Sequence, residues 1–228
     1  MQRAAVVTLS VLLPMALLEQ ERSPQVLLIV QERLKPNVAR AYDRNERKIA
    51  RAAARFKCPH PYLALEPLSG GKEVWWLSAY ESLTEKVRVE QAYQRNHELM
   101  AEFRKLGARK AALRDEPASI VTTYRSDLSH GRPWSGGGAR FVVVTVTNEE
   151  RRFDGNVFET PDGRRFVFRP AATRRDADRQ AALAGAGARI FAIRPAWSFP
   201  ADAWIAADPE FWRASPAARI RRDPRVSR

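Results

Sequence analysis

The chain has 228 residues, 45% of them hydrophobic, and a formal net charge of +13 at neutral pH. That is enough for one large domain or two small ones with a proper core, and too apolar for a disordered protein. Cys58 is the single cysteine, which excludes an internal disulfide and a cysteine-rich metal site; 32 of the 39 basic residues are arginine, but they are scattered without a nucleic-acid reader motif, so nucleic acid is not an expected partner.

Residues 1–23 begin with Arg3, run mostly apolar from Ala4 to Leu18, and end in the polar EQERS. The apolar run is shorter than the roughly 20 residues a membrane-spanning helix needs, so no stable membrane span is expected. A basic start, a short apolar run and a polar end fit a signal peptide and an exported protein, periplasmic or secreted. The cleavage signal at Pro14-Met15-Ala16 is poor, and the alternative is a buried first element of a cytoplasmic protein.

From residue 25 to 126 the chain reads as two copies of a strand-helix unit. VLLIV (26–30) is strand-like, and Lys35-Pro36-Asn37 leads into a helix over 38–57, with Asn37 as its cap. Val38, Tyr42, Asn45, Ile49, Ala52 and Phe56 form one face of that helix. Pro59 and Pro61 stop it. Residues 62–68 give a second strand and 74–80 a third, after the turn Ser69-Gly70-Gly71. Ser82 or Thr84 can cap a helix over 84–106 that carries Val89, Tyr93, Asn96, Met100 and Phe103 on one face and ends at Gly107. Residues 120–124 make a fourth strand. The two helices match in letters, AYDRNERKIA at 41–50 against AYQRNHELMA at 92–101. The order βαββαβ predicts an antiparallel four-stranded sheet with its helices on one face.

Residues 127–138 have the composition of a linker. Beyond them FVVVTVT (141–147), the pair 156–159 and 165–168 around Pro161-Asp162-Gly163, a helix over 174–184 and a strand over 189–193 spell βββαβ, a degenerate copy of the first half spanning 139–213. Trp197, Trp204 and Trp212 follow and are expected to staple this end to the core. Residues 214–228 read as a disordered basic tail.

VLLIV and VWWLSAY are apolar on both alternating faces, and such strands are covered on both sides. The expected cover is the second half of the chain, packed face to face with the first as a barrel within one chain. The βαββαβ order, these two strands and the stretch EVWWLSAYES resemble the dimeric α+β barrel superfamily, and within it the NIPSNAP and antibiotic-biosynthesis-monooxygenase relatives. The resemblance covers residues 25–126 and, by pattern, 139–195. It implies a ferredoxin-like fold and a small apolar or aromatic ligand between sheet and helices. Some relatives oxygenate such molecules without a cofactor, and some bind or degrade haem. Haem-degrading relatives pair a strand Asn and Trp with a helix His. Here Trp75 or Trp76 is present but VLLIVQER has no Asn, so no cofactor is expected.

Two readings of function follow. One is a ligand-binding or structural barrel in which Trp75, Trp76 and Tyr80 bound a cavity, with Tyr93 and Asn45 beside it. The other is a cofactor-independent monooxygenase acting on an aromatic substrate, with His97 as base and Asn96 orienting substrate or oxygen. The matching positions of Asn45 and Asn96 favour a shared structural role, each amide bonded to backbone or water. His60 and His130 stand in separate loops without metal-ligand spacing. A second copy of the chain stays open as a partner.

Overall fold

The computed structural model describes residues 24–131, 134 and 138–222, the last two as backbone alone. The expected signal peptide and residues 223–228 lie outside them. The first half gives β1 (Val26–Arg33), α1 (Ala39–Arg55), β2 (Leu63–Pro67), β3 (Glu73–Tyr80), α2 (Leu83–Arg95), α3 (His97–Ala111) and β4 (Ala118–Tyr124). Then come β5 (Ser129–His130), β6 (Phe141–Thr147), β7 (Phe153–Asp154), β8 (Asn156–Glu159), β9 (Arg165–Ala171), α4 (Arg174–Ala184) and β10 (Arg189–Ile193). Three short helices close the described chain: α5 (Asp202–Ala207), α6 (Pro209–Trp212) and α7 (Pro216–Arg222).

Eight of the strands form one closed antiparallel barrel in the order β1-β3-β2-β10-β6-β9-β8-β4. The two halves of the chain meet at two hydrogen-bonded seams, β2 with β10 (Leu65 opposite Ile193) and β4 with β8 (Tyr124 opposite Phe158). The double apolarity of β1 and β3 is thereby explained. Leu27, Ile29, Trp75 and Leu77 point inward, where they meet Val142, Phe158, Phe166, Phe168 and Phe191 from the second half. On the outer face Ala64, Val74 and Trp76 pack against Tyr42 of α1 and Trp197. Each of the larger aliphatic side chains among these is worth about 1.5–3 kcal/mol relative to exposure. The second half is covered likewise, with Ala177 of α4 on Val143 and Ala171.

Several local expectations need correction. Asn37 does not cap α1: it sits in a left-handed turn at φ 60°, and Val38 takes the cap position without a side-chain bond. α1 ends instead through Lys57 at φ 51°, which lets the Cys58 amide reach the Ala53 carbonyl at 2.8 Å. Ser82 is the cap of α2, accepting from the Glu85 amide at 3.0 Å. The single helix expected over 84–106 is two, broken at Asn96, whose side chain caps α3 by accepting from the Leu99 amide at 3.2 Å. Gly107 does not end it. Ala108, Arg109, Lys110 and Ala111 are good helix formers, and α3 runs on to Ala111.

Within 127–138, expected as a linker, several of the described residues are tied into the fold. Ser129 and His130 pair with β7, Leu128 is buried, and Trp134 is buried edge-on against Phe168 at 5.5 Å. The tail expected to be disordered from 214 also folds as far as described, because Ser215, Ala217 and Ala218 are buried and α7 lies along α1. The tryptophans do staple this end. Trp212 is fully buried in the barrel core, and Trp197 Nε1 donates to Asp43 of α1 at 2.9 Å.

Candidate ligand site

The residues expected to form one site are divided among several environments. Trp75 points into the barrel, 4.8 Å from the Phe191 ring, while its neighbour Trp76 points outward under the helices, 5.9 Å from Tyr62. This is the alternation of a strand, so two adjacent tryptophans cannot bound one cavity. Tyr80 stacks on His60 at 4.4 Å, and Tyr93 turns its hydroxyl to the Cys58 thiol at 3.0 Å. Burial pushes the pKa of the Tyr93 phenol and the Cys58 thiol up, and that of the His60 imidazole down. His97 is exposed as the first residue of α3. The helix break at Asn96 turns His97 out to solvent.

Asn45 and Asn96 do share a task. Asn45 Nδ2 donates to the Leu106 carbonyl of α3 at 3.2 Å, and Asn96 Nδ2 donates to the Phe56 carbonyl at the end of α1 at 2.7 Å. Each copy of the repeat thus ties its helix to the backbone of the other. They differ in burial: Asn45 is buried in mid-helix, while Asn96 is half-buried at the break.

Beside Trp76 lies a buried ionic group that sequence reasoning missed. Lys110 Nζ stands 2.9 Å from Glu32 and 3.2 Å from Glu46, and 4.3 Å above the Trp76 ring. Arg114 Nε is 3.2 Å from Glu32, and the Tyr42 hydroxyl donates to the same carboxylate. Two carboxylates and two cations balance. Burial nonetheless outweighs the pull of Lys110 and pushes the Glu46 carboxyl up to about 7. Burial and the two carboxylates push the Tyr42 phenol well up. Glu46 and Tyr42 are wholly inaccessible and Glu32 nearly so, which makes this group a clamp between β1, α1 and α3. Nothing in its geometry admits a substrate.

A cleft lies along the outer side of the helices. It measures about 800 Å³ between α1, α3, α7 and Ala196. Ala52 of α1, Phe56 just past its end, Leu106 of α3, Ala196, Pro216 and Ile220 give it an apolar floor, and charged side chains line the rest. The cleft was hidden from sequence reasoning because one wall is α7, built from the stretch read as a disordered tail. Among the described residues no cluster of His, Cys, Asp and Glu could hold a metal ion, and no helix is long and apolar enough to cross a membrane.

The chain is thus an α+β protein built on a closed eight-stranded antiparallel barrel. It matches no family model and no curated protein. Among solved structures it is similar to a candidate monooxygenase from Fusobacterium nucleatum, at 9% identity and a TM-score of 0.47, covering 75% of this chain and 92% of that one. It is also similar to a candidate monooxygenase from Lactobacillus acidophilus, at 6% identity and a TM-score of 0.42, covering 82% and 88%. A candidate chlorite dismutase follows at 10% identity and a TM-score of 0.39, covering 82% and 99%. No residue role passes from these proteins to this chain.

Proposed function

We propose that the protein is a non-enzymatic binding barrel that holds a small, apolar-bodied molecule in the cleft between α1, α3 and α7. The observation that carries this reading is the cleft itself, about 800 Å³ with an apolar floor. That volume lies within the range of small-molecule sites, and such sites are mostly apolar with a few polar groups to orient the ligand. The barrel interior is packed with large side chains, among them Trp75, Phe158, Phe166, Phe168, Phe191 and Trp212. The oxygenase reading needs a base inside a cavity. His97 is exposed at the start of α3 and does not line this cleft, so the cleft lends that reading no support. Kinship with NIPSNAP-like proteins, a ferredoxin-like origin of each half and export belong to the same proposal. They rest on the strand-helix order and on the composition of residues 1–23.

The test uses N-phenyl-1-naphthylamine, a neutral dye that brightens in apolar surroundings. Ala214 is exposed on the cleft wall, so Ala214→Trp fills the space without disturbing the core. Saturable binding to the natural chain that is lost in Ala214→Trp, with the thermal midpoint unchanged, is the expected result. Equal binding by both proteins would place the dye elsewhere and sink the proposal.

A further inference from the structure

The rim of the cleft is strongly one-sided in charge. Seven cationic side chains line it against one carboxylate, Glu102. On α1, Lys48, Arg51 and Arg55 recur at helical spacing, and on α3 Lys105 and Arg109 stand one turn apart, so each helix turns a basic row to the cleft. Arg47 is paired with Asp43 and Lys105 with Glu102. Lys48, Arg51 and Arg109 are exposed, and among the described residues no carboxylate pairs with them.

Like charges one turn apart destabilise a helix slightly, so such rows need a reason. The helix dipole supplies one for Arg55 and Arg109, which lie in last turns. It supplies none for Lys48 and Arg51, which are mid-helix. Uncompensated cations around a concave apolar floor are complementary to a molecule with an apolar body and an anionic head. A polyanion would be better served by cations along a ridge than by a cleft whose floor is apolar.

We infer that the ligand of the cleft is an amphiphilic anion, a carboxylate, sulfonate or phosphate on an apolar or aromatic body, its head held by Lys48, Arg51 and Arg109 and its body on Phe56, Leu106 and Ile220. This inference rests on the cleft reading above. The experiment compares 8-anilinonaphthalene-1-sulfonate with N-phenyl-1-naphthylamine, which shares its ring system and lacks the sulfonate. The sulfonate should bind about tenfold more tightly at low salt, with the difference shrinking as salt rises. Arg51→Glu with Arg109→Glu should weaken sulfonate binding about tenfold or more and leave the neutral dye within about twofold. Arg51→Gln with Arg109→Gln should fall between, and circular dichroism melts check that both variants fold. Equal affinity for the two dyes, or equal losses in the variants, overturns the anionic head while the cleft reading stands. Failure of both dyes to bind overturns both readings. A single-stranded oligonucleotide that binds the natural chain and Ala214→Trp alike would point to a polyanion on the rim and overturn the inference.

Discussion

Glu46 is where burial and charge are most at odds. It has no exposure, and its carboxyl is pushed up to about 7 from an ordinary 4.5 because burial outweighs Lys110. A carboxyl raised in the folded state binds its proton more tightly there than in the unfolded chain. Its destabilising effect is therefore absent below about pH 4.5, grows as pH rises, and is complete above about pH 7. Across that window the shift corresponds to about 3 kcal/mol. Glu46→Gln cannot ionise, so between pH 5 and 8 the natural chain should lose about 2–3 kcal/mol more stability than the variant. Urea melts at the two pH values measure this, and parallel losses would show that Glu46 stays charged beside Lys110 throughout.

The elements carry a second lesson through Gly107. It is helical, and a methyl group there would meet nothing within 4 Å. Gly107→Ala should stabilise the protein by about 0.5–1 kcal/mol, read as a rise in thermal midpoint. A fall would mean that α3 needs the freedom of glycine at that point. The same residue explains why the ionic clamp escaped sequence reasoning. Reading Gly107 as a helix end leaves Lys110 in a loop, with no route to Glu32 or Glu46. The strands were more legible, because period-two alternation and turn residues are local signals, and β6, β8, α4 and β10 fall at the predicted residues. Which apolar face a strand turns to the core is also local, but what covers it is not. Alternation alone separates Trp75 from Trp76, so the expectation that both bound one cavity ran against a local signal, whereas the cleft depends on α7 reaching back to α1 across more than a hundred residues.

At the scale of the whole molecule, the barrel makes each half depend on the other. A fragment of residues 24–126 would leave Leu27, Ile29, Trp75 and Leu77 facing water, together with the free edges of β2 and β4. Bare apolar faces and open edges drive association. That fragment should dimerise or aggregate at micromolar concentration in light scattering, while the intact chain, whose barrel is closed, should not associate through these edges. A monomeric, folded fragment would show that the inner wall can be covered without the second half.

The seams between β2 and β10 and between β4 and β8 also set a timetable. β4 ends at Tyr124, and β10, the last strand, ends at Ile193. At a synthesis rate of about 5–20 residues per second, the half-built inner wall waits roughly 4–14 s in the cell before its partner strands exist. Trp212, which fills the core from α6, arrives later still. During that interval the nascent chain is a substrate for any holdase that recognises exposed tryptophan and leucine. Slowing translation within residues 125–193 should therefore lower the yield of folded protein more than slowing it after Trp212, even though every amino acid is the same.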